Sequence, residues 1–178
     1  MEVKQAQLEV REAYGHGSMG QLISGLLWLA SAALATWSSE RSAIVLLVFG
    51  GMFIFPVTQL CLRLVGKAGK LSDDNPLNSL GMQVAFVLPL SLPLVYAVAH
   101  YNPIWFYPAF TILVGAHYLP FVFLYGMPQF AVLCGVLVAT GLGIALYAPQ
   151  IFPLCGWTTA TILLLFSALS QLSSNRVE

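Results

Sequence analysis

The sequence predicts an all-α fold, a polytopic bundle of six membrane-spanning helices in one transmembrane domain. Of the 178 residues, 58% are hydrophobic and only 8% are charged, whereas a soluble domain carries about 25% charged residues. No Asp, Glu, Lys or Arg occurs between Asp74 and Arg176, which leaves 101 consecutive residues without a formal charge. A water-soluble surface cannot be built from such a segment, because apolar surface of that size aggregates.

Six stretches are long and apolar enough to cross a hydrocarbon core about 30 Å thick, which takes about 20 residues of helix. Helices are the expected spanning elements, because backbone polar groups in lipid must be satisfied internally. The predicted spans cover residues 19–37, 42–65, 80–101, 104–125, 128–147 and 154–172. The connections are short and contain turn-forming residues such as Asn102-Pro103. Sequential helices are therefore predicted to run antiparallel.

Residues 1–17 form a cytoplasmic or interfacial segment before the first span. In this segment Val3, Val10 and Tyr14 fall near one helical face, which is typical of a short interfacial helix, while a solvated, partly ordered tail fits the same residues. The first span also resembles a signal peptide, because Ala33-Leu34-Ala35 is similar to a cleavage site. The long preceding region, with three glutamates against one lysine and one arginine, argues against cleavage. We therefore expect an anchored first helix.

The basic residues predict the orientation. With six spans, the N-terminus, the 66–79 loop and the C-terminus lie on one side of the membrane. That side carries six of the seven basic residues, namely Lys4, Arg11, Arg63, Lys67, Lys70 and Arg176. Arg41 alone falls on the other side. Because cytoplasmic loops are enriched in Lys and Arg, both termini are predicted to be cytoplasmic, in a bacterial inner membrane.

Small residues on the fifth span predict a site of close helix packing. Ala131, Gly135, Ala139 and Gly143 recur at every fourth position. Helices in lipid associate through close packing rather than through hydrophobic burial, so small residues mark their contacts. The partner of this stripe is either another helix of the chain or a second copy, which leaves a homo-oligomer open.

The segment GAHYLPFVFLYG, residues 115–126, places a histidine near the predicted middle of the fourth span. Pro120 follows His117 by three residues and removes the N–H that would bind the Ala116 carbonyl in a regular helix. His117 is therefore expected beside a backbone acceptor that some other group must satisfy. The same helix carries a separate, weakly polar stripe of Tyr107, Thr111, Gly115 and Tyr118.

Prolines are predicted to kink three successive spans at a similar depth. They are Pro56 in the second span, Pro89 and Pro93 in the third, and Pro120 in the fourth. Interrupted helices with polar groups at the midplane are how many transporters build a substrate site, and an ionisable residue inside the membrane is by default a functional candidate. The hypothetical solute site consists of His117, Tyr118, Ser91, Gln59 and Gln83.

His117 would serve that site as a hydrogen-bonding partner or a proton-linked switch, since an unperturbed histidine titrates near pH ~6.5. The alternative is structural. Proline is common in transmembrane helices and often only bends them, and a neutral histidine can be satisfied by the carbonyl of a neighbouring helix.

Residues that are missing exclude several classes of function. No Asp or Glu lies within a predicted span, which disfavours a carboxylate relay and an intramembrane aspartyl protease. The sequence contains no nucleophile constellation, phosphate-binding loop, dinucleotide motif or metal-ligand cluster. The cysteines, Cys61, Cys134 and Cys155, are too widely spaced to predict a disulfide framework or a zinc site. We therefore expect no enzyme, no catalytic residue, no metal and no cofactor, and the zero net charge gives no attraction to nucleic acid.

Two functions remain open from the sequence. The first is a small multipass transporter or channel-like protein for a small neutral or weakly charged solute, bound at the midplane site. The second is a non-transporting accessory, structural or lipid-interacting protein whose prolines only shape the bundle. A solvent-connected cavity at Ser91 and His117 would favour transport, and a dry, packed centre would favour the accessory role.

Overall fold

A computed structural model describes residues 1–174, with side chains for residues 1–172. This part of the chain is helical and has no strand, so the predicted all-α fold is confirmed. The α-helices are α1 Val3–Ala13, α2 Ser18–Trp37, α3 Glu40–Leu64, α4 Asn78–Tyr101, α5 Phe106–Tyr118, α6 Phe121–Tyr125, α7 Gln129–Tyr147 and α8 Leu154–Ser174. Short 3₁₀ turns at Gly15–Gly17 and Pro103–Trp105 lead into α2 and α5.

Six helical segments of the described chain are long and apolar enough to cross a membrane. They are Gly15–Trp37, Glu40–Leu64, Asn78–Tyr101, Pro103–Tyr125, Gln129–Tyr147 and Leu154–Leu172. The predicted number of six membrane-spanning helices is therefore confirmed. The largest difference in a boundary is at the first span, which was predicted to begin at residue 19 and begins at Gly15.

The helix α1, the segment between α3 and α4, and the end of α8 lie at the same end of the bundle, called the α1 end below. Asn75 Nδ2 donates to the Ala6 carbonyl at 3.2 Å, and Ser170 near the end of α8 donates to Gln21 near the start of α2 at 3.2 Å. These contacts agree with six antiparallel spans. The side of the membrane that this end faces stays a prediction, and Arg176, used for it, lies outside the described residues.

The bundle consists of four well-packed spans and two peripheral ones. The helix α2 packs against α8, and α5 packs against α7, while α3 packs against α2 and α4 packs against α5. Within an apolar 18-residue stretch of each span, 44% of the residues are buried in the span that contains α5 and α6, compared with 6% in α3 and 11% in α4. The helices α3 and α4 are therefore the most exposed of the six spans.

Glycine allows the closest approach between α5 and α7. A Cβ on Gly141 would lie 2.7 Å from Cγ1 of Ile112 and 2.8 Å from the Pro108 carbonyl oxygen. A Cβ on Gly115 would lie 3.1 Å from the main-chain nitrogen of Val138. A larger side chain at either glycine would separate the two backbones, so these residues fix the interaxial distance.

The predicted packing stripe lies on the outer face of α7. Ala131, Gly135 and Ala139 are exposed, and Gly143 is half-buried. A Cβ on Gly135 or on Gly143 would meet no atom within 4 Å. Within the described chain no helix packs on this stripe, so a second copy is the alternative that stays a prediction.

The proline-containing spans differ in helical continuity. The helix α3 continues through Pro56, and α4 continues through Pro89 and Pro93. The fourth span is interrupted between Tyr118 and Phe121, where α5 ends and α6 begins. A break in the helical pattern therefore accompanies Pro120, while kinks at the other three prolines stay predictions.

At the Pro120 break the backbone satisfies itself. The Leu119 N–H donates to the Ala116 carbonyl at 3.1 Å, which is an i to i+3 bond. This tightened turn replaces the donor that Pro120 lacks. The expectation that the Ala116 carbonyl needs a partner from elsewhere is therefore wrong, because the chain tightens locally instead of leaving the oxygen unpaired.

Candidate functional site

The polar stripe of α5 is the interhelical seam of the bundle. Tyr107, Thr111, Gly115 and Tyr118 are all buried. They recur three or four residues apart, which places them on one face of the helix. That face meets α2, α7 and α8, so the stripe lies between helices and does not line an open channel.

The seam begins, at the end of the bundle opposite α1, with a buried pair of hydroxyl groups. Ser31 donates to the Ala43 carbonyl at 2.9 Å, and the Tyr107 hydroxyl lies 2.6 Å from Ser31 Oγ. Because the Ser31 hydroxyl has one proton and gives it to Ala43, the Tyr107 hydroxyl is the donor of the second bond. The two bonds connect α2, α3 and α5.

The next hydroxyl of the seam connects α5 with α8. Thr111 Oγ1 lies 2.7 Å from Thr159 Oγ1 and 3.4 Å from Cys155 Sγ. All three side chains are at most 1% exposed. One turn before the break in the fourth span, Gly115 makes the close contact with α7 described above.

Tyr118 closes the seam near the break. Its hydroxyl interacts with the side chain of Ser24 on α2. Its ring is stacked on Phe130 of α7, with centroids 6.1 Å apart and planes 12° apart. The predicted site residue Tyr118 therefore joins three helices.

A second polar cluster lies closer to the α1 end. Gln129 Nε2 donates to Ser170 Oγ at 3.1 Å, and Ser170 Oγ donates to Gln21 Oε1 at 3.2 Å. Gln21 is 1% exposed, and its Nε2 has no hydrogen-bond partner among the described residues. This cluster connects α7, α8 and α2 at a depth that the midplane hypothesis did not consider.

His117 lies apart from the seam, between α5 and α4. Its ring contacts Tyr118 and Phe121, with centroid distances of 5.9 and 5.1 Å, and it faces the main-chain carbonyl of Val84 on α4. The Nδ1 atom is buried and has no partner in the part of the chain that the structure describes. His117 therefore has one polar atom left over for another group.

The other residues of the hypothetical solute site lie apart. Gln59 lies at the α1 end, where its side chain interacts with Tyr14 and approaches Gly69. Gln83 is exposed on α4, and Ser91 is half-buried on the same helix. Tyr118 adjoins His117 in the chain, but no hydrogen bond joins any two of the five residues within the described chain.

Two cavities lie away from these residues. One has room for about a single water molecule, about 10 Å³, beside Trp105 and Phe152. The other is an open groove of about 390 Å³ between α7 and α8, lined by Thr140, Trp157, Thr158, Thr161 and Ile162. Neither cavity includes His117 or Ser91. Within residues 1–174, no three His, Cys, Asp or Glu side chains come together in the way that a metal ion requires.

Sequence reasoning missed the partners of the seam. The hydroxyl groups of α2 and α8 that contact the seam belong to Ser24, Ser31 and Thr159, and all three side chains are buried. Ser24 and Ser31 are seven residues apart, which places them on one helical face. That spacing in an otherwise apolar span was the available signal for an interhelical contact.

These features define a multipass membrane protein whose buried polar groups largely connect its own helices. The chain belongs to a family of unknown function, DUF7010, whose model matches residues 3–172. The matched range begins at the first residue of α1 and includes all six spans. No curated protein and no solved structure matches the chain.

Proposed function

We propose that the chain is a non-transporting accessory or structural protein of the lipid bilayer, located in a bacterial inner membrane with the α1 end in the cytoplasm. The supporting observation is the composition of its centre. The buried hydroxyl groups of α2, α5 and α8 hydrogen-bond to one another or to backbone carbonyls. A solute site needs polar groups that are free to exchange partners, and these are already engaged.

The separation of Gln59, Gln83 and Ser91 supports the same proposal. A transporter gathers its substrate ligands at one depth, where interrupted helices meet. Here Gln59 lies at the α1 end, and Gln83 is exposed. The proposal includes no catalytic activity, because no candidate nucleophile or acid–base pair arises from the sequence.

A permeability measurement tests the proposal. The full-length protein is reconstituted into liposomes, and osmotic shrinkage is followed by light scattering with glycerol and urea as small neutral solutes. We expect the same rates as for empty liposomes. A higher rate that depends on the amount of protein would contradict the proposal and support transport.

Transport stays the second candidate because of one observation, the buried and unpartnered Nδ1 of His117. If permeation is found, His117→Ala and His117→Gln are compared in the same assay. Loss of permeation in both variants, with unchanged folding, would assign His117 to the solute path. Unchanged permeation in both would remove His117 from it.

A further inference from the structure

The helix α1 is bound on one side to the segment between α3 and α4. The Glu9 carboxylate accepts hydrogen bonds from the main-chain N–H of Ser72, from the Ser72 hydroxyl at 3.1 Å and from Asn75 Nδ2 at 2.8 Å. Asn75 Nδ2 also donates to the Ala6 carbonyl. Charge-assisted bonds of this kind are stronger than neutral ones. They fix the chain just before α4 begins.

On its other side α1 is bound to the end of the fourth span. Gln7 Nε2 donates to the Phe123 carbonyl and Arg11 Nε donates to the Tyr125 carbonyl, both at 2.6 Å. These carbonyls belong to the last turn of α6, where they have no helical donor because the chain turns away at Gly126. Gln7 and Arg11 are four residues apart and share a face of α1, so α1 caps α6.

Beyond these contacts, α4 is held weakly. Its two buried residues are Val84 and Val95. Before α4, the connecting segment buries Leu71 and Leu77. The Val84 carbonyl is the group that His117 faces, so the first turns of α4 cover the imidazole.

We propose that α1 is a strap that holds the start of α4 against α5, and that its release exposes His117 to water from the α1 end. Eleven residues form α1, and a helix of that length is marginal in water without tertiary contacts. Its bonds to Ser72 are exposed, whereas those from Asn75 are buried or part-buried. Its buried residues are Ala6, Val10 and Ala13, and a short segment with so few buried residues opens at a lower free energy than the whole bundle. The inference goes beyond the proposed function, which needs no movement of α4.

The test measures access to position 117 in the full-length protein in lipid nanodiscs. Cys61, Cys134 and Cys155 are replaced by alanine, His117→Cys is introduced, and labelling by a water-soluble maleimide is timed. Glu9→Ala removes the three hydrogen bonds that Glu9 accepts from Ser72 and Asn75. The matched control is Glu12→Ala, which removes an exposed carboxylate from the same helix. We expect labelling to be about fivefold faster with Glu9→Ala, as for a local opening, and unchanged with Glu12→Ala.

A second labelling position separates strap release from general loosening. Ala160 in α8 is fully buried, and Ala160→Cys should label at the same slow rate in both glutamate backgrounds. Faster labelling at both positions, or equal rates at position 117 with Glu9→Ala and Glu12→Ala, would overturn the proposal. If Glu9→Ala yields no folded protein, Ser72→Ala removes a single bond and should accelerate labelling at position 117 by about twofold. No acceleration with Ser72→Ala would then overturn it.

Discussion

The second and fourth spans are both apolar, yet they occupy opposite environments. The second span, α3, is the more hydrophobic of the two. Within an apolar 18-residue stretch of each span, 6% of the residues are buried in α3 and 44% in the fourth span, α5 with α6. Lipid is as apolar as leucine, so hydrophobicity does not draw a helix into the centre of a bundle. The fourth span carries Tyr107, Thr111 and Gly115 on one face, which supply hydrogen bonds and close approach. The burial of the fourth span therefore follows from its small and hydroxyl-bearing residues and not from its hydrophobicity.

The largest test of this comparison is a pair of leucine truncations. Leu133 on α7 is fully buried, and Leu90 on α4 is 76% exposed. Leu133→Ala should lower the free energy of unfolding by about 2–3 kcal/mol, because it leaves a cavity between helices. Leu90→Ala should change it by less than about 0.5 kcal/mol, because lipid fills the space. Reversible unfolding in mixed micelles measures both, and equal losses would show that the described packing of α4 is incomplete.

A pair of glycine substitutions on α7 tests the same comparison, with a smaller expected effect on stability. Gly141→Ala places a Cβ against Ile112 and the Pro108 carbonyl, and this overpacking should cost about 1–2 kcal/mol. Gly135→Ala meets no neighbouring atom and should be neutral, or stabilising by up to about 1 kcal/mol through helix propensity. Thermal melts in detergent measure the difference. A loss with Gly135→Ala would mean that the outer stripe is covered by a second copy.

The spans and their boundaries could be predicted because they depend on a one-dimensional signal. A charge-free run of 101 residues has few ways to satisfy its backbone in lipid, and helices are the simplest. Turn residues between the runs then set the boundaries. None of this reasoning requires knowing which residues meet in space.

The candidate site depends on contacts between residues of different helices, and the sequence does not show which residues make these contacts. From its position after Pro56, Gln59 is predicted to lie near the midplane, but its side chain interacts with Tyr14 at the α1 end. The Ala116 carbonyl is predicted to lack a helical donor, but it accepts a bond from the Leu119 N–H, the residue before Pro120. A periodic pattern predicts which residues share one face of a helix. Which other helix packs against that face depends on the order and rotation of the helices in the bundle.

The hydrogen bonds of the seam give a third, smaller contrast. Thr111→Val keeps the shape of the side chain and removes its bond to Thr159, which should cost about 0.5–1.5 kcal/mol. Thr161→Val is the control, because the Thr161 hydroxyl is exposed and bonds to the Trp157 carbonyl of its own helix. Unfolding free energies of both variants are measured in the same micelles. A larger loss of unfolding free energy from Thr161→Val would show that exposed hydroxyl groups stabilise the fold more than the buried ones of the seam.

The smallest effect concerns the α1 end, which differs from the spans because its contacts include an exposed carboxylate. The Ser72 N–H and the Asn75 side chain donate to the charged form of Glu9 and hold its pKa below the ordinary value of 4.5. A lowered pKa stabilises the fold above the ordinary value, and that contribution is lost as the pH falls through the folded value. The wild type should therefore melt higher than Glu9→Gln near neutral pH.

This advantage should disappear below the folded pKa of Glu9, where both proteins present a neutral side chain to Ser72 and Asn75. The same segment also carries Asp73, in an ion pair with Lys70 at 3.2 Å, and the exposed Asp74. Both proteins contain these groups, so their contribution cancels in the difference between the two melting temperatures. A difference that stays constant from neutral to acidic pH would show that Glu9 acts through its shape and not through its charge.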